Sequence, residues 1–108
     1  MDEKPDNIRE TDEYKEWFAD LRDKQAQYRI LTRIRRLAIG NPGDHRFLGD
    51  ISELKIDYGP GYRVYYSNQR FADTGKIIYV LLCSGDKSTQ NKDIEKAREL
   101  AQNLEGIV

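Results

Sequence analysis

The feature that most constrains the fold is a run of seven apolar residues at positions 77–83, Ile-Ile-Tyr-Val-Leu-Leu-Cys. A strand without alternation of apolar and polar residues is buried on both faces of its sheet. We therefore expect a strand here that lies in the centre of a sheet. The polar segment 84–90 ends it.

A β-hairpin is predicted for residues 52–66, because apolar and polar residues alternate on both sides of the turn Gly-Pro-Gly at 59–61. One face carries the apolar side chains of Leu54, Ile56, Tyr58, Tyr62, Val64 and Tyr66. Pairing of Tyr58 with Tyr62 places Asp57 opposite Arg63 and Lys55 opposite Tyr65. The faces of the two strands then match, which supports this register.

Three helices are predicted from apolar stripes at helical spacing. The first two lie between Thr11 and Gly40, and their short connection indicates an α-hairpin. The second carries a basic face, which is either a solvated exterior or a contact for nucleic acid or an acidic partner. The third begins after a cap at Ser88 or Thr89. A short strand is also expected near residues 7–10, and a polar loop at 68–75.

The length of 108 residues bounds the chain to a single domain, with flexible ends at 1–6 and 105–108. No apolar run approaches the ~20 residues that span a bilayer, so no membrane contact is expected. One cysteine and one histidine make a metal site implausible and favour a reducing compartment, the cytoplasm. His45 lies in a loop-like segment, so a histidine-based triad is unsupported.

The candidate site is a group of cations at one end of the predicted sheet. The net charge is −1, yet ten of the eighteen basic residues lie at positions 21–70. Lys55 and Arg63 share a face of neighbouring strands, and Lys87 follows the apolar strand at a helix start. Such cations at a helix N-terminus suit a phosphodiester, on whose bases Tyr58 and Tyr65 could stack. The competing interpretation pairs Arg63 with the aspartate opposite to it.

Residues 53–65, Glu-Leu-Lys-Ile-Asp-Tyr-Gly-Pro-Gly-Tyr-Arg-Val-Tyr, resemble the hairpin of the RelE/ParE superfamily and especially its HigB-like addiction module killer protein branch. Residues 81–90, Leu-Leu-Cys-Ser-Gly-Asp-Lys-Ser-Thr-Gln, match as well. Together with Trp17 and segments 29–37, 40–44 and 93–97, the resemblance covers roughly residues 7–104. It implies an α+β fold, with a small antiparallel sheet of three to four strands packed against an N-terminal α-hairpin, and a C-terminal helix.

The resemblance also implies a toxin of a bacterial type II toxin–antitoxin pair. RelE-like members are endoribonucleases that use neither metal nor cofactor and cut mRNA, commonly on the ribosome. The ribose 2′-hydroxyl attacks the adjacent phosphate, and translation and growth stop. The implied partner is a cognate antitoxin, HigA-like with a helix-turn-helix domain, through which the toxin contacts operator DNA indirectly.

By position, Arg63 matches the arginine that binds phosphate in RelE-type toxins. Lys55 matches a base or electrostatic aid, and Lys87 a group that stabilises the transition state or leaving group. RelE itself has a catalytic tyrosine near its C-terminal end, whereas no tyrosine or histidine follows Gln90 here. The candidates for proton transfer are therefore Asp86, Tyr65 and Gln90. Substrate contacts are expected from Tyr58, Ser88, Gln90, Arg33 and Arg36.

Two other functions stay open at this point. One is non-enzymatic inhibition of DNA gyrase, as in the ParE arm of the superfamily, and the other is an inactive module that only binds an antitoxin or nucleic acid. The three cations favour RNA cleavage, because a gyrase inhibitor has no need to hold a phosphodiester.

Overall fold

The computed structural model describes residues 4–70 and 74–104 of the chain. Along these residues the elements are β1 Ile8–Glu10, α1 Asp12–Asp20, α2 Lys24–Ala38, β2 His45–Phe47, β3 Ser52–Ile56, β4 Tyr62–Arg70, β5 Ile77–Asp86 and α3 Gln90–Ala101. A 3-10 turn at Lys87–Thr89 joins β5 to α3. The α+β class agrees with the prediction. The flexible ends predicted at 1–6 and 105–108 lie mostly outside the described residues.

The five strands that the structure describes form one mixed sheet in the order β1-β5-β4-β3-β2. β1 runs parallel to β5, and the other neighbours are antiparallel. The prediction of a small antiparallel sheet with three to four strands is therefore wrong in strand count and direction. The interior place expected for the apolar run is confirmed, because β5 lies between β1 and β4, although β4 occupies the middle. The short strand expected near residues 7–10 is β1.

Two strand segments were predicted as loops because their side chains show no apolar pattern. All three residues of β2, at the edge of the sheet, are exposed, and an edge strand of this kind has no apolar alternation to detect. β4 continues to Arg70, which pairs with Ile77, so the loop predicted at 68–75 begins later. Residues 71–73 of that loop lie outside the described residues.

The register of the β3–β4 hairpin differs from the prediction by two positions. Ile56 lies opposite Tyr62 and Lys55 lies opposite Arg63, so the predicted pairing of Tyr58 with Tyr62 is wrong. The turn occupies residues 57–61 and is closed by the bond from the Gly61 N–H to the Tyr58 carbonyl at 3.0 Å. Because a shift by two keeps every side chain on its face, the predicted inner and outer faces stay correct.

The helices cover both faces of the sheet. α1 packs on β5 and α2 on β3, while α3 packs on the opposite face against β4 and β5. The prediction of an N-terminal α-hairpin is therefore wrong. α1 and α2 each pack on the sheet, because the apolar stripe of each helix faces it. Thr11 caps α1, because its hydroxyl accepts from the Tyr14 N–H and donates to the Leu82 carbonyl of β5.

β5 supplies side chains to both cores, which explains why its sequence is apolar throughout. Tyr79 and Leu81 face α1 and α2, while Val80 and Leu82 face α3. A register shift leaves Leu82 of β5 as an extra residue between the pairs Tyr65–Cys83 and Tyr66–Leu81, so Leu82 and Cys83 both belong to the core beneath α3. Tyr65 lies in the same core. Among the described residues, no helix has the length and apolar character needed to cross a membrane.

Candidate functional site

The predicted cations meet at the end of the sheet where β3 turns into β4. Lys55 lies directly opposite Arg63, and Arg63 lies opposite Gly85 of β5. Directly paired residues on neighbouring antiparallel strands project from the same face. Lys55 and Arg63 therefore stand side by side, and Gly85 leaves the third place in this row without a side chain.

Lys87 reaches the same place by packing along the β3–β4 turn. Its backbone N–H donates to the Gly61 carbonyl at 3.0 Å, and the Arg63 Nη1 donates to that carbonyl at 3.2 Å. Gly61 has a φ of 82°, and a Cβ added there would lie only 2.8 Å from the Cε of Lys87. The turn therefore needs glycine for its backbone and for this close approach.

The three cations differ in their access to solvent. Lys87 is exposed, Lys55 is half-buried, and Arg63 is only 8% exposed. The Nη1 of Arg63 is held by the carbonyls of Gly61 and Tyr62. Its other terminal nitrogen, Nη2, has no hydrogen-bond partner within the described residues. A ligand would therefore meet Lys87 first and then one terminal nitrogen of Arg63.

The acidic neighbour of Arg63 is Glu53, and not Asp57 as the competing interpretation expected. The shifted register places Asp57 beyond the end of β3, whereas the Oε2 of Glu53 lies 3.9 Å from the Arg63 Nε. The same oxygen accepts from the Gln90 Nε2 at 2.7 Å, and the Oε1 accepts from the Arg46 Nε at 3.2 Å. The Glu53 side chain is fully buried.

Glu53 and Arg46 are site residues that sequence reasoning missed. The alternation of the strand places Glu53 correctly on the face opposite Leu54 and Ile56, but the prediction gives this carboxylate no role in the site. The available signal was a carboxylate two positions from Lys55, on the same face of the same strand. Its meaning depends on α3, which covers this face, and on the register that brings Arg46 opposite Glu53.

Two of the candidates for proton transfer, Tyr65 and Asp86, have structural roles. Tyr65 is completely buried, and its pKa is raised above the ordinary value, first by burial and then by the negative charge of Glu53. The Asp86 carboxylate accepts from the N–H and the hydroxyl of Ser88, and these bonds lower its pKa. Asp86 thus acts as the cap of the 3-10 turn, and the Ser88 hydroxyl is occupied by it.

Tyr58 lies apart from the cationic row, on the side of the hairpin turn that faces α2. Its hydroxyl donates to the Asp23 Oδ2 at 3.1 Å, and the guanidinium of Arg29 lies 4.6 Å from its ring centroid. The ring also packs against the core beneath α1 and α2. Tyr58 therefore joins the hairpin turn to α2, and it does not extend the row formed by Lys55 and Arg63.

The two arginines expected to contact substrate from α2 have different surroundings. Arg33 is half-buried and donates to three carbonyls, those of Lys55 at 2.5 Å, Pro42 at 2.7 Å and Asp44 at 2.7 Å. Arg36 is exposed, three positions further along the helix. Arg33 thus fastens the 42–44 segment to β3, while Arg36 is available to a partner.

Replacing Arg33 with alanine is expected to lower the free energy of unfolding by about 1–2 kcal/mol, because three charge-assisted bonds to carbonyls disappear. Arg36→Ala is the matched control, and we expect it to leave stability unchanged. Urea denaturation followed by Trp17 fluorescence measures both. Equal stability of the two variants would contradict a structural role for Arg33.

An open groove of about 360 Å³ adjoins the cations and is lined by residues 87–92. Thr89 precedes α3 and makes no side-chain capping bond, so no such bond occupies the first N–H groups of the helix. Lys87 and Lys92 stand at its rim. In the described part of the chain, no cluster of three or more His, Cys, Asp and Glu residues is placed to hold a metal ion.

A protein of Haemophilus influenzae, described as "Uncharacterized protein", is 46% identical to this chain over 98 residues. The match covers 90% of this chain and 94% of the relative. The chain therefore belongs to the same family as this protein. No protein-family model matches the chain, and no solved structure matches it.

Proposed function

We propose that the chain is the toxin of a type II toxin–antitoxin pair and that it cleaves mRNA without a metal ion. The observation that carries this proposal is that Arg63 and Lys87 both contact Gly61, with Lys55 paired to Arg63, beside the groove at the start of α3. The resemblance of residues 53–65 and 81–90 to HigB-like toxins supplies the reaction.

In the proposed reaction, the ribose 2′-hydroxyl attacks the adjacent phosphate, and the 5′-oxygen of the next nucleotide leaves. The products are a 2′,3′-cyclic phosphate and a free 5′-hydroxyl. Negative charge grows on the phosphoryl oxygens in the transition state, and fixed cations stabilise it more than they stabilise the ground state. Lys87 and the Arg63 Nη2 hold this role, and Lys55 beside Arg63 is the candidate base or electrostatic aid.

The proposal includes the biology of such toxins. The partner is a cognate antitoxin of the HigA-like helix-turn-helix kind, which carries the toxin to operator DNA. The target is mRNA on the ribosome in the cytoplasm, and the result is growth arrest. Lys87 is the exposed cation of the site through which an RNA backbone would be held, and Arg36, exposed on α2 on the other face of the sheet, is the candidate for a more distant contact.

A non-enzymatic binding module is the second candidate function. The observation that favours it is the burial of Arg63, whose Nη1 is held by two backbone carbonyls of its own hairpin. In that case the cations would serve only to dock an acidic partner. Cleavage of RNA separates the two candidates directly.

Expression of the chain in bacteria is expected to create discrete new mRNA 5′ ends, which primer extension maps. Lys87→Ala should reduce their yield by about 10²-fold, since it removes one stabilising cation from the transition state. The matched control is Lys15→Ala, an exposed lysine of α1, on the other side of the sheet. Cleavage should leave 2′,3′-cyclic phosphate and 5′-hydroxyl ends, the products of attack by the ribose 2′-hydroxyl.

Two results would overturn this proposal. Toxicity with intact mRNA and an induced DNA-damage response would support gyrase inhibition instead. Intact mRNA without toxicity, combined with antitoxin binding, would support the inactive module.

A further inference from the structure

Glu53 is the most deeply buried carboxylate at the cationic end of the sheet, and its side chain has no exposed surface. Burial of an ionised carboxylate is costly unless cations and hydrogen-bond donors surround it. Three side chains do so from three different elements, Arg46 of β2, Arg63 of β4 and Gln90 of α3.

The two carboxylate oxygens of Glu53 contact different neighbours. The Oε1 accepts a hydrogen bond from the Arg46 Nε at 3.2 Å, and the Oε2 accepts one from the Gln90 Nε2 at 2.7 Å. The Oε2 also faces the Arg63 Nε at 3.9 Å, and this nitrogen is buried without a hydrogen-bond partner. Glu53 therefore binds Gln90, the first residue of α3. Its ion pair with Arg63 lacks a hydrogen bond, because the two atoms are too far apart.

Two of the nitrogens of the Arg63 guanidinium have neighbours in the fold. Nη1 is fixed by the Gly61 and Tyr62 carbonyls, and Nε faces Glu53, so Nη2 is the nitrogen left for a ligand. In the free protein, the distance from the Arg63 Nε to Glu53 is too long for a hydrogen bond. Hydrogen bonds of this kind are commonly long in the free protein and tighten in the complex.

From this geometry we infer that Glu53 is a positioning residue, which orients Arg63 and Gln90 toward the RNA phosphate in the cleavage reaction. The inference rests on the proposed function. Glu53 does not touch the substrate itself, since it is buried and both of its oxygens are engaged. It acts through the Nε of Arg63 and the amide of Gln90.

The test compares Glu53→Gln, which keeps the shape and removes the charge, with the control Asp50→Asn. Asp50 is an exposed carboxylate that accepts from the Arg98 Nε at 3.0 Å. Rates of mRNA cleavage are measured against mRNA concentration in a reconstituted translation system that contains ribosomes. Glu53→Gln should lower kcat by about tenfold or more and leave KM within about twofold, while Asp50→Asn should leave both unchanged.

A second readout does not depend on activity. The ¹⁵N NMR signal of the Arg63 Nε–H, assigned by its loss in Arg63→Lys, should shift or lose its protection from exchange in Glu53→Gln and stay unchanged in Asp50→Asn. If Glu53→Gln does not fold, Gln90→Ala serves instead, because it removes the anchor of the Oε2. We then expect a smaller loss of kcat, about threefold, with the same displacement of the Arg63 signal.

The outcomes separate the inference from the proposed function. An unchanged Arg63 signal or an unchanged kcat in the Glu53 variant overturns the inference, even if the wild-type chain cleaves RNA. No cleavage by the wild-type chain overturns the proposed function and the positioning role with it, whatever the NMR signal shows. A loss of kcat with a large rise in KM indicates a binding role and also overturns the inference.

Discussion

Replacing Glu53 with alanine is expected to lower the free energy of unfolding by about 3–5 kcal/mol. The change leaves Arg63, whose side chain is 10% exposed, without its carboxylate, and it frees the Gln90 amide that ties α3 to β3. Removing one partner of a buried ion pair is costly because the other charge stays in a poorly solvated place. Urea denaturation with Trp17 as the fluorescent reporter measures the loss.

Asp50→Ala is the matched control for this prediction, because it removes a carboxylate from an exposed pair with Arg98. Exposed pairs contribute little, so its stability should stay close to that of the wild type. Similar curves for the two variants would mean that Arg63 reaches solvent once Glu53 is gone. The buried contacts of Glu53 with Arg63 and Gln90 would then contribute little to the stability of the fold.

Gly85→Ala is expected to destabilise the chain by about 1–3 kcal/mol and to reduce RNA cleavage. The backbone of Gly85 lies in β5 and has no left-handed φ, so the cause is space alone. An added Cβ would overlap the Asp93 carboxylate and lie 2.8 Å from the Thr89 Oγ1. Both side chains belong to the start of α3, so relief of the overlap displaces Gln90 from Glu53.

A double-mutant cycle with Asp93→Ala tests this cause. If the overlap with Asp93 destabilises Gly85→Ala, the same glycine substitution should cost much less when residue 93 is already alanine. Chemical denaturation of the four proteins gives the coupling energy. Additive effects would show that Gly85 is needed for another reason, such as the pairing of β5 with β4.

The sequence was sufficient for those elements whose side chains carry a pattern. The apolar run placed β5 inside the sheet, and the helical stripes located three helices. The alternation of side chains along each strand was enough to predict that Lys55 and Arg63 share a face. This prediction is correct although the predicted register is wrong, because the register differs by an even number of residues. The short β1 was also expected, although its parallel pairing with β5 was not.

The remaining features depend on contacts between distant segments, which the pattern of side chains does not record. β2 is exposed throughout and joins the sheet through its main-chain pairing with β3 and through the ion pair of Arg46 with Glu53, neither of which appears in an apolar pattern. The hairpin register depends on the length of the turn, which is five residues, and the Gly-Pro-Gly sequence does not determine that length. Glu53 looked like a surface residue, because its burial is produced by α3, thirty-seven positions later at Gln90.

The parallel pairing of β1 with β5 determines the order in which this protein can assemble during synthesis. The Thr11 hydroxyl bonds to the Leu82 carbonyl across 71 positions, so β1 and α1 have no place to dock until β5 has left the ribosome. Contacts between segments so far apart slow folding, since a long loop must close first. Lys87 follows β5 directly, so the cationic surface is completed only after β5 has been made.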